Sequence, residues 1–300
     1  MTAPGSSPRP PVGFIGLGIM GRPMAGHILA AGFPLTIFNR TRARTEELAS
    51  RGARVAPSPA EVAAAADLII VMVSDSPDVE SVVAGPQGVL HGLRPGAVVV
   101  DMSTASPALE RRLDGLLRGR GGTLVDAPVS GGDVGARDAT LAIMAGGERA
   151  AFERALPVLR ALGRSVTHCG PIGSGQVAKL CNQILVSVTL LGVSEAILFA
   201  RRNGLDPRTM IEAVSSGAAA SWQLANLGPK ILAEDLAPGF MIDLVQKDLR
   251  LVLEAGAAAM SPLPGTALVH ELFRSAQAHG DGRLGTQALA RVLARLAGME

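Results

Sequence analysis

Val12-Gly13-Phe14-Ile15-Gly16-Leu17-Gly18-Ile19-Met20-Gly21 is the stretch whose reading decides the fold. Val12 to Ile15 is an apolar run of strand length. Arg22 to Ala31 follows as a run of mostly helix-forming residues, with Pro23 in the first turn. A G-x-G-x-x-G turn set between a strand and a helix is the arrangement that binds dinucleotides. Gly16 permits the tight turn, Gly18 has no side chain to block a pyrophosphate, and Gly21 lets helix and strand pack closely. The helix N-terminus offers free N–H groups and a partial positive charge to the phosphates. Gly16, Leu17, Gly18, Ile19 and Met20 are therefore expected at the cofactor. The chain holds 36 glycines, so spacing alone is weak, and the flanking strand and helix carry the assignment.

Leu35 to Phe38 is the next β-prone run, and it ends at Asn39-Arg40-Thr41. Folds of this kind that bind NAD carry an acidic residue about 20 positions after the glycines, bonded to the ribose 2′-OH. Here the place holds neutral Asn39, followed by Arg40 and Thr41, with Arg42 and Arg44 close behind. A guanidinium binds a phosphate through paired hydrogen bonds, and a carboxylate would repel it. The charge pattern predicts NADP(H) in preference to NAD(H), against the bland reading of a solvated helix start.

The first half continues as strands alternating with helices. Asp67 to Val73, Ala97 to Val100, Thr123 to Asp126, Leu141 to Ala145 and Ser165 to Cys169 read as strands. Thr45 to Arg51, Pro59 to Ala66, Pro107 to Leu117 and Ala150 to Ala161 read as helices. Near-continuous apolar strands suit a sheet covered on both faces. The alternation argues an α/β doubly wound sheet over residues 11–170. Ser74-Asp75-Ser76-Pro77 and Asp101-Met102-Ser103-Thr104 stand at strand C-terminal ends, where such sheets bind ligands. Ser130-Gly131-Gly132 reads equally as an ordinary turn or as a row of N–H donors for a carboxylate.

No strand alternation follows residue 170, so residues 202–300 are expected to form an all-α domain for substrate binding and oligomerisation. Residues 171–201 form a long helix joining the two. Between Lys179 and Glu195 that helix carries no charge, which predicts burial among other helices. Lys179 stands near its start with Asn182 at i+3. A lysine at such a place is by default a surface residue that extends its amine to water. Its apolar neighbours and the preceding Gly173-Ser174-Gly175 turn, open to a cofactor ring, support a second reading. A desolvated lysine loses basicity and becomes a proton donor near neutral pH. Asn182 would then orient the substrate oxygen. Gln246-Lys247-Asp248-Leu249-Arg250 reads first as the solvated face of a helix over Ile242 to Ala259.

Composition narrows the classes. Hydrophobic residues make up 48% of the chain and the net charge is +2, which leaves ample core and no support for nucleic-acid binding. Residues 1–10, rich in Pro, Ser and Gly, read as a disordered tail without a signal-peptide core. No uninterrupted apolar run reaches spanning length, so no membrane association and a cytoplasmic location are expected. With no Tyr in the chain, a Tyr-Lys proton relay is excluded. The five histidines are scattered, so a metal site is not expected. His168 is the best histidine acid/base candidate, with a structural role favoured. Cys169 and Cys181 read as small buried hydrophobes.

Four motifs in order resemble the β-hydroxyacid dehydrogenase family, which includes 3-hydroxyisobutyrate dehydrogenase, tartronate semialdehyde reductase and glyoxylate/succinic semialdehyde reductase. They are Gly13 to Gly21 with Pro23-Met24-Ala25; Asp126-Ala127-Pro128-Val129-Ser130-Gly131-Gly132; Gly173-Ser174-Gly175-Gln176-Val177-Ala178-Lys179-Leu180-Cys181-Asn182; and Lys247-Asp248-Leu249. The resemblance implies that Lys179 is catalytic with Asn182 its helper, and that Ser130, Gly131 and Gly132 hold the substrate carboxylate. It implies that Lys247 lies at the cofactor and that Asp248 supports the substrate site. Val73, Ser74, Asp78 and Thr104 fall where the family contacts its cofactor, and Asn39-Arg40-Thr41 is similar to the NADP-using members. A homodimer or homotetramer acting on a small carboxylate substrate is implied. Gly285-Thr286-Gln287-Ala288-Leu289 departs from the Asp-x-Ser-Ala stretch of many members. Two other readings stay open: an imine reductase on the same scaffold, and a non-catalytic NADP-binding interaction module.

Overall fold

The computed structural model describes residues 9–299. The tail expected over residues 1–10 therefore lies, up to residue 8, outside the described residues. The chain divides into two compact units, Met1–Lys179 and Leu180–Glu300.

In the first unit, β1 (Val12–Ile15), α1 (Gly21–Ala30), β2 (Leu35–Phe38), α2 (Glu46–Ser50), β3 (Arg54–Val55), α3 (Pro59–Ala64), β4 (Leu68–Val71) and α4 (Ser76–Ala84) come first. Then follow β5 (Val98–Asp101), α5 (Pro107–Arg118), β6 (Thr123–Asp126), β7 (Val129–Ser130), α6 (Gly132–Arg137), β8 (Leu141–Gly147), α7 (Arg149–Leu159) and β9 (Gly163–Gly170). The sheet order is β3-β2-β1-β4-β5-β6-β8-β7, with β9 against β8. The first six strands run parallel, Val12 facing both Leu35 and Leu68. This is the 3-2-1-4-5-6 order of a dinucleotide-binding sheet, whose ligand crevice opens where the order reverses beside β1. Alternate strand residues feed two cores. Phe14, Ile37, Ile70 and Val100 pack on one face. Ile15, Ile69, Val71 and Val99 pack on the other.

β8 runs antiparallel to β6 and β7, so the far edge of the sheet is mixed. Val129–Ser130, just before the Gly131-Gly132 turn, pairs with Ile143 and Ala142. α4 also goes beyond the sequence reading. Pro77 sits in the first turn of a helix whose N-cap, Asp75, accepts the Ser76 N–H at 2.7 Å, where proline is well tolerated.

α8 (Ser174–Arg202) begins in the first unit and continues into the second. α9 (Pro207–Ser215), α10 (Trp222–Asn226), α11 (Gly228–Leu232), α12 (Ile242–Ala258), α13 (Pro264–Ala278) and α14 (Leu289–Leu296) follow. Among the described residues no strand occurs after β9, and the sole extended pairing is a Met241–Gly285 bridge. Leu190, Val193 and Ile197 of α8 join Val245, Leu249 and Phe273 in the helical core. The helix is buried among other helices on one side, as expected, and exposed on the other. Val177, Cys181, Leu185, Val188, Gly192 and Phe199 form an exposed stripe, with Leu185 67% and Phe199 71% exposed. The i, i+4, i+8, i+11 spacing places them on one helix face. A helix apolar on every side gives no sequence sign of which face is left uncovered. Cys181 is likewise exposed rather than buried. By length and composition α8 also passes the test for a membrane span, a test that core helices share.

Candidate active site

The glycine turn has the form its residues dictate. Gly16 has φ +99°, and a Cβ there would lie 2.1 Å from the Met72 carbonyl oxygen. At Gly21 a Cβ would meet the Gly16 carbonyl oxygen at 1.9 Å and the Phe14 ring at 3.1 Å. A Cβ at Gly18 would meet nothing within 4 Å. Two glycines thus serve the chain itself, and the middle one opens onto space before the N-terminus of α1. That opening fits a pyrophosphate. Leu17 is buried and Ile19 is 63% exposed.

Asn39, just past β2, braces this turn. Its Oδ1 accepts the Leu17 N–H at 2.8 Å, and its Nδ2 donates to the Thr41 carbonyl at 2.8 Å. Arg40 is 92% exposed and lies 3.8 Å from Asp78 in α4, so two predicted cofactor residues are neighbours. Val73 and Ser74 follow β4, and Thr104 follows β5. The Val73 N–H donates to Ser103 Oγ at 2.9 Å, tying these two loops together. All of these positions lie at the C-terminal edge of the parallel strands.

A buried carboxyl cluster anchors α8 to that edge. The Asp126 carboxylate at the end of β6 accepts the Gly173 N–H through Oδ1 and the Gln176 N–H through Oδ2, both at 2.7 Å. A carboxylate there satisfies orphan N–H groups and complements the positive helix end. Burial pushes Asp126 up to about 6, against the lowering effect of those N–H groups. Gln176 Oε1 accepts from the Ala105 N–H at 3.1 Å. Its Nε2 then donates to the Ser103 carbonyl at 2.9 Å and to Glu110 Oε1 at 3.1 Å. Glu110 is fully buried. Burial first, then the charge of Asp101 and a hydrogen bond with it, hold its carboxyl well above the ordinary range. Burial and the neighbouring Asp101 thus favour the protonated form of Glu110, while Asp101 Oδ1 accepts the Ser103 N–H at 2.9 Å. Glu110 was not singled out in the sequence, because buried and solvated carboxylates look alike there.

In the second glycine turn, Gly175 serves the chain itself. A Cβ at Gly175 would lie 2.4 Å from the Met144 oxygen and 2.5 Å from the Asp126 oxygen, both backbone. Gly175 therefore lets α8 press against β6 and β8, and no cofactor ring is needed to explain it. Lys179 sits in the second turn of the helix so anchored and is 7% exposed. Ser130 ends β7. Gly131 and Gly132 follow with φ of 132° and 62°, conformations that suit glycine, and α6 begins there.

In the second unit, Asn182 follows Lys179 by three residues on α8. Its Nδ2 donates to Gln183 Oε1 at 2.8 Å, and Gln183 Nε2 donates to Asp248 Oδ2 at 2.6 Å. Lys247 Nζ lies 2.7 Å from Asp248 Oδ1. The Lys247-Asp248 pair is thus no solvated face; Asp248 is buried. His168 bonds the Gly147 carbonyl at 2.9 Å and packs on Phe152 at 4.9 Å between ring centroids, a structural arrangement. No metal-binding group of His, Cys, Asp and Glu occurs among the described residues. In the divergent C-terminal stretch, buried Gln287 donates to the Asp235 and Ala237 carbonyls.

Residues 11–170 match the family described as the NAD binding domain of 6-phosphogluconate dehydrogenase. Residues 173–293 match the NAD-binding family of NADP-dependent 3-hydroxyisobutyrate dehydrogenase. The chain is 41% identical over 286 residues to 2-hydroxy-3-oxopropionate reductase of Escherichia coli, spanning 95% of this chain and 98% of the relative. The structure of Mycobacterium tuberculosis 3-hydroxyisobutyrate dehydrogenase with L-serine is similar at a TM-score of 0.89 and 30% identity, over 95% of this chain and 99% of that one. An imine reductase from Pseudomonas sp. is similar at a TM-score of 0.61 and 22% identity, over 95% of this chain and 99% of that one, and this likeness extends to the fold alone. With both halves of the chain matched in order, and relatives aligned over nearly their whole length, the chain belongs to the β-hydroxyacid dehydrogenase family.

Proposed function

We propose that the protein is an NADP(H)-preferring enzyme that interconverts a small 3-hydroxyacid, or a related hydroxyacid, and its semialdehyde, with Lys179 as general acid and base. The observation that carries this reading is the placement of Lys179. It is buried, in the second turn of a helix whose first N–H groups are held by Asp126 at the ligand-binding edge of the sheet.

The cofactor, when bound, supplies the hydride exchanged with the carbonyl carbon. Gly16 to Met20 and the N-terminus of α1 hold its phosphates. Arg40, Asn39 and Thr41 face its 2′-phosphate; the supports for NADP are the neutral residue at 39 and the exposed guanidinium beside it. Val73, Ser74, Asp78, Thr104 and Lys247 complete the cofactor contacts. Ser130, Gly131 and Gly132 hold the substrate carboxylate. Lys179 gives a proton to the carbonyl oxygen as charge develops there, and in the reverse direction its neutral amine takes the hydroxyl proton. Holding the carboxylate fixes the reacting carbon, and positioning of this kind contributes several kcal/mol. Assembly as a dimer or tetramer belongs to the same reading, supported by the exposed apolar stripe of α8.

A panel of C2 to C5 semialdehydes and hydroxyacids, led by 2-hydroxy-3-oxopropionate and 3-hydroxyisobutyrate, tests the proposal with both cofactors. Lys179→Ala is expected to cut turnover by about 10²-fold or more with cofactor affinity kept. Near-wild-type turnover in that variant removes Lys179 from the chemistry.

A further inference from the structure

Gln183 is 2% exposed and joins two motifs that lie 65 residues apart in the chain. The polarity of the connection follows from chemistry rather than from the placement of amide atoms. A carboxylate paired with an ammonium only accepts hydrogen bonds, and Asp248 is paired with Lys247 at 2.7 Å. Gln183 must therefore turn its NH2 towards Asp248, which leaves its carbonyl towards Asn182. Asn182 must answer with its own NH2. A flip of either amide would set oxygen against oxygen or NH2 against NH2. The observed bonds, 2.6 Å and 2.8 Å, have this polarity.

We infer that Gln183 is a positioning residue that relays the charge of Asp248 to Asn182 and fixes Asn182 as a hydrogen-bond acceptor, with Oδ1 rather than Nδ2 on the side away from Gln183. The inference rests on the proposed roles of Lys179 and Asn182 and adds what the asparagine does. Three residues after Lys179 on one helix, an amide oxygen holds a donor: the hydroxyl of the hydroxyacid or the ammonium of Lys179. With Nδ2 turned to Gln183, the opposite side of the amide presents an acceptor and no N–H to the substrate carbonyl. The proton for that oxygen then comes from Lys179 alone, and Asn182 keeps the donor aligned. Asp248 acts through Gln183 and Lys247, so its two oxygens are engaged by protein rather than needed at the substrate.

Two variants test this. Gln183→Met keeps the bulk and removes both hydrogen bonds. It is expected to lower kcat by about 10- to 100-fold, as misplacement of a reacting group does, with the KM for NADPH unchanged. Gln183→Glu introduces a carboxyl that reproduces the relay only when protonated, donating to Asp248 and accepting from Asn182. Burial beside Asp248 raises the pKa of that carboxyl. Turnover of Gln183→Glu is expected near the wild-type level at the acid end and to fall as pH rises, a limb absent from wild type. The melting temperature of the cofactor-free variant, relative to wild type, is expected to fall over the same range, since a raised folded pKa is a stability lost with increasing pH. Wild-type turnover in Gln183→Met overturns the inference. So does a flat Gln183→Glu profile, active or inactive, and this second arm decides the matter if Gln183→Met fails to fold. Lys179→Ala in parallel separates the two levels. If it stays active, the underlying catalytic reading fails; if it is inactive while Gln183→Met is not, only the relay fails.

Discussion

Replacing Glu110 by Gln is expected to stabilise the protein by an amount that grows with pH. Glu110 accepts from Gln176 at 3.1 Å through Oε1, and a hydrogen bond with Asp101 favours its protonated form. An amide reproduces both contacts, because its oxygen accepts from Gln176 and its NH2 donates to Asp101. The difference lies in the unfolded chain. There a glutamate ionises near its ordinary 4.5, whereas burial and the neighbouring Asp101 keep it protonated in the fold. The fold thus retains a proton that the unfolded chain releases, and wild-type stability declines as pH rises above 4.5. The slope is about 1.4 kcal/mol per pH unit for as long as the folded carboxyl keeps its proton. Glu110→Gln removes that slope. Urea denaturation of both proteins without cofactor, stepped between about pH 5 and pH 8, measures it. The gap in favour of the variant should widen as pH rises, by at most about 1.4 kcal/mol for each unit. A gap independent of pH would show that Glu110 is ionised in the fold, and the account of how α8 is anchored would be refuted.

The three glycines of the phosphate turn should separate by function. Gly18→Ala keeps its stability within about 0.5 kcal/mol, since the new methyl group meets no atom within 4 Å, but loses cofactor affinity in a fluorescence titration with NADPH. Gly16→Ala, at φ +99° and 2.1 Å from the Met72 oxygen, should lower the melting temperature instead. Arg40→Ala should weaken NADPH about tenfold, the value of one charge-assisted contact, and leave NADH unchanged; equal effects on both Michaelis constants would remove Arg40 from cofactor choice. Leu185→Glu and Phe199→Glu, both on the exposed stripe of α8, should shift the assembly towards monomer in light scattering, while an unchanged mass would free that face from any role in self-association.

Much of the first unit was legible because its signals are local. The glycine turn, the apolar strands and Asn39-Arg40-Thr41 each depend on residues within a few positions of one another. Lys179 and Asn182 stand out in the same way, as a pair one helical turn apart, and their role is a proposal. The anchoring cluster was not, since Asp101, Glu110, Asp126 and Gln176 meet only after four separate elements fold together. At Gly175 the close neighbour is backbone, and a bare glycine in the sequence tells that something approaches closely, not whether it is ligand or backbone. The α8 stripe was hidden for a related reason. Uniformly apolar sequence has no period, so burial on one side and exposure on the other leave no trace in it. Gln183 stood beside Asn182 in plain view, but its meaning depends on Asp248, 65 residues later.

In the proposed preference for NADP(H), Asn39 would link cofactor selection to the rigidity of the phosphate loop. Its oxygen secures Leu17 and its amide nitrogen secures Thr41. An aspartate there could keep the first bond but not the second, because it has no donor to give. Switching the enzyme's preference by that single exchange would slacken the Arg40-Thr41 segment at the same moment. A redesign for NADH must therefore supply a new partner for the Thr41 carbonyl, and lineages that change cofactor should change both places together.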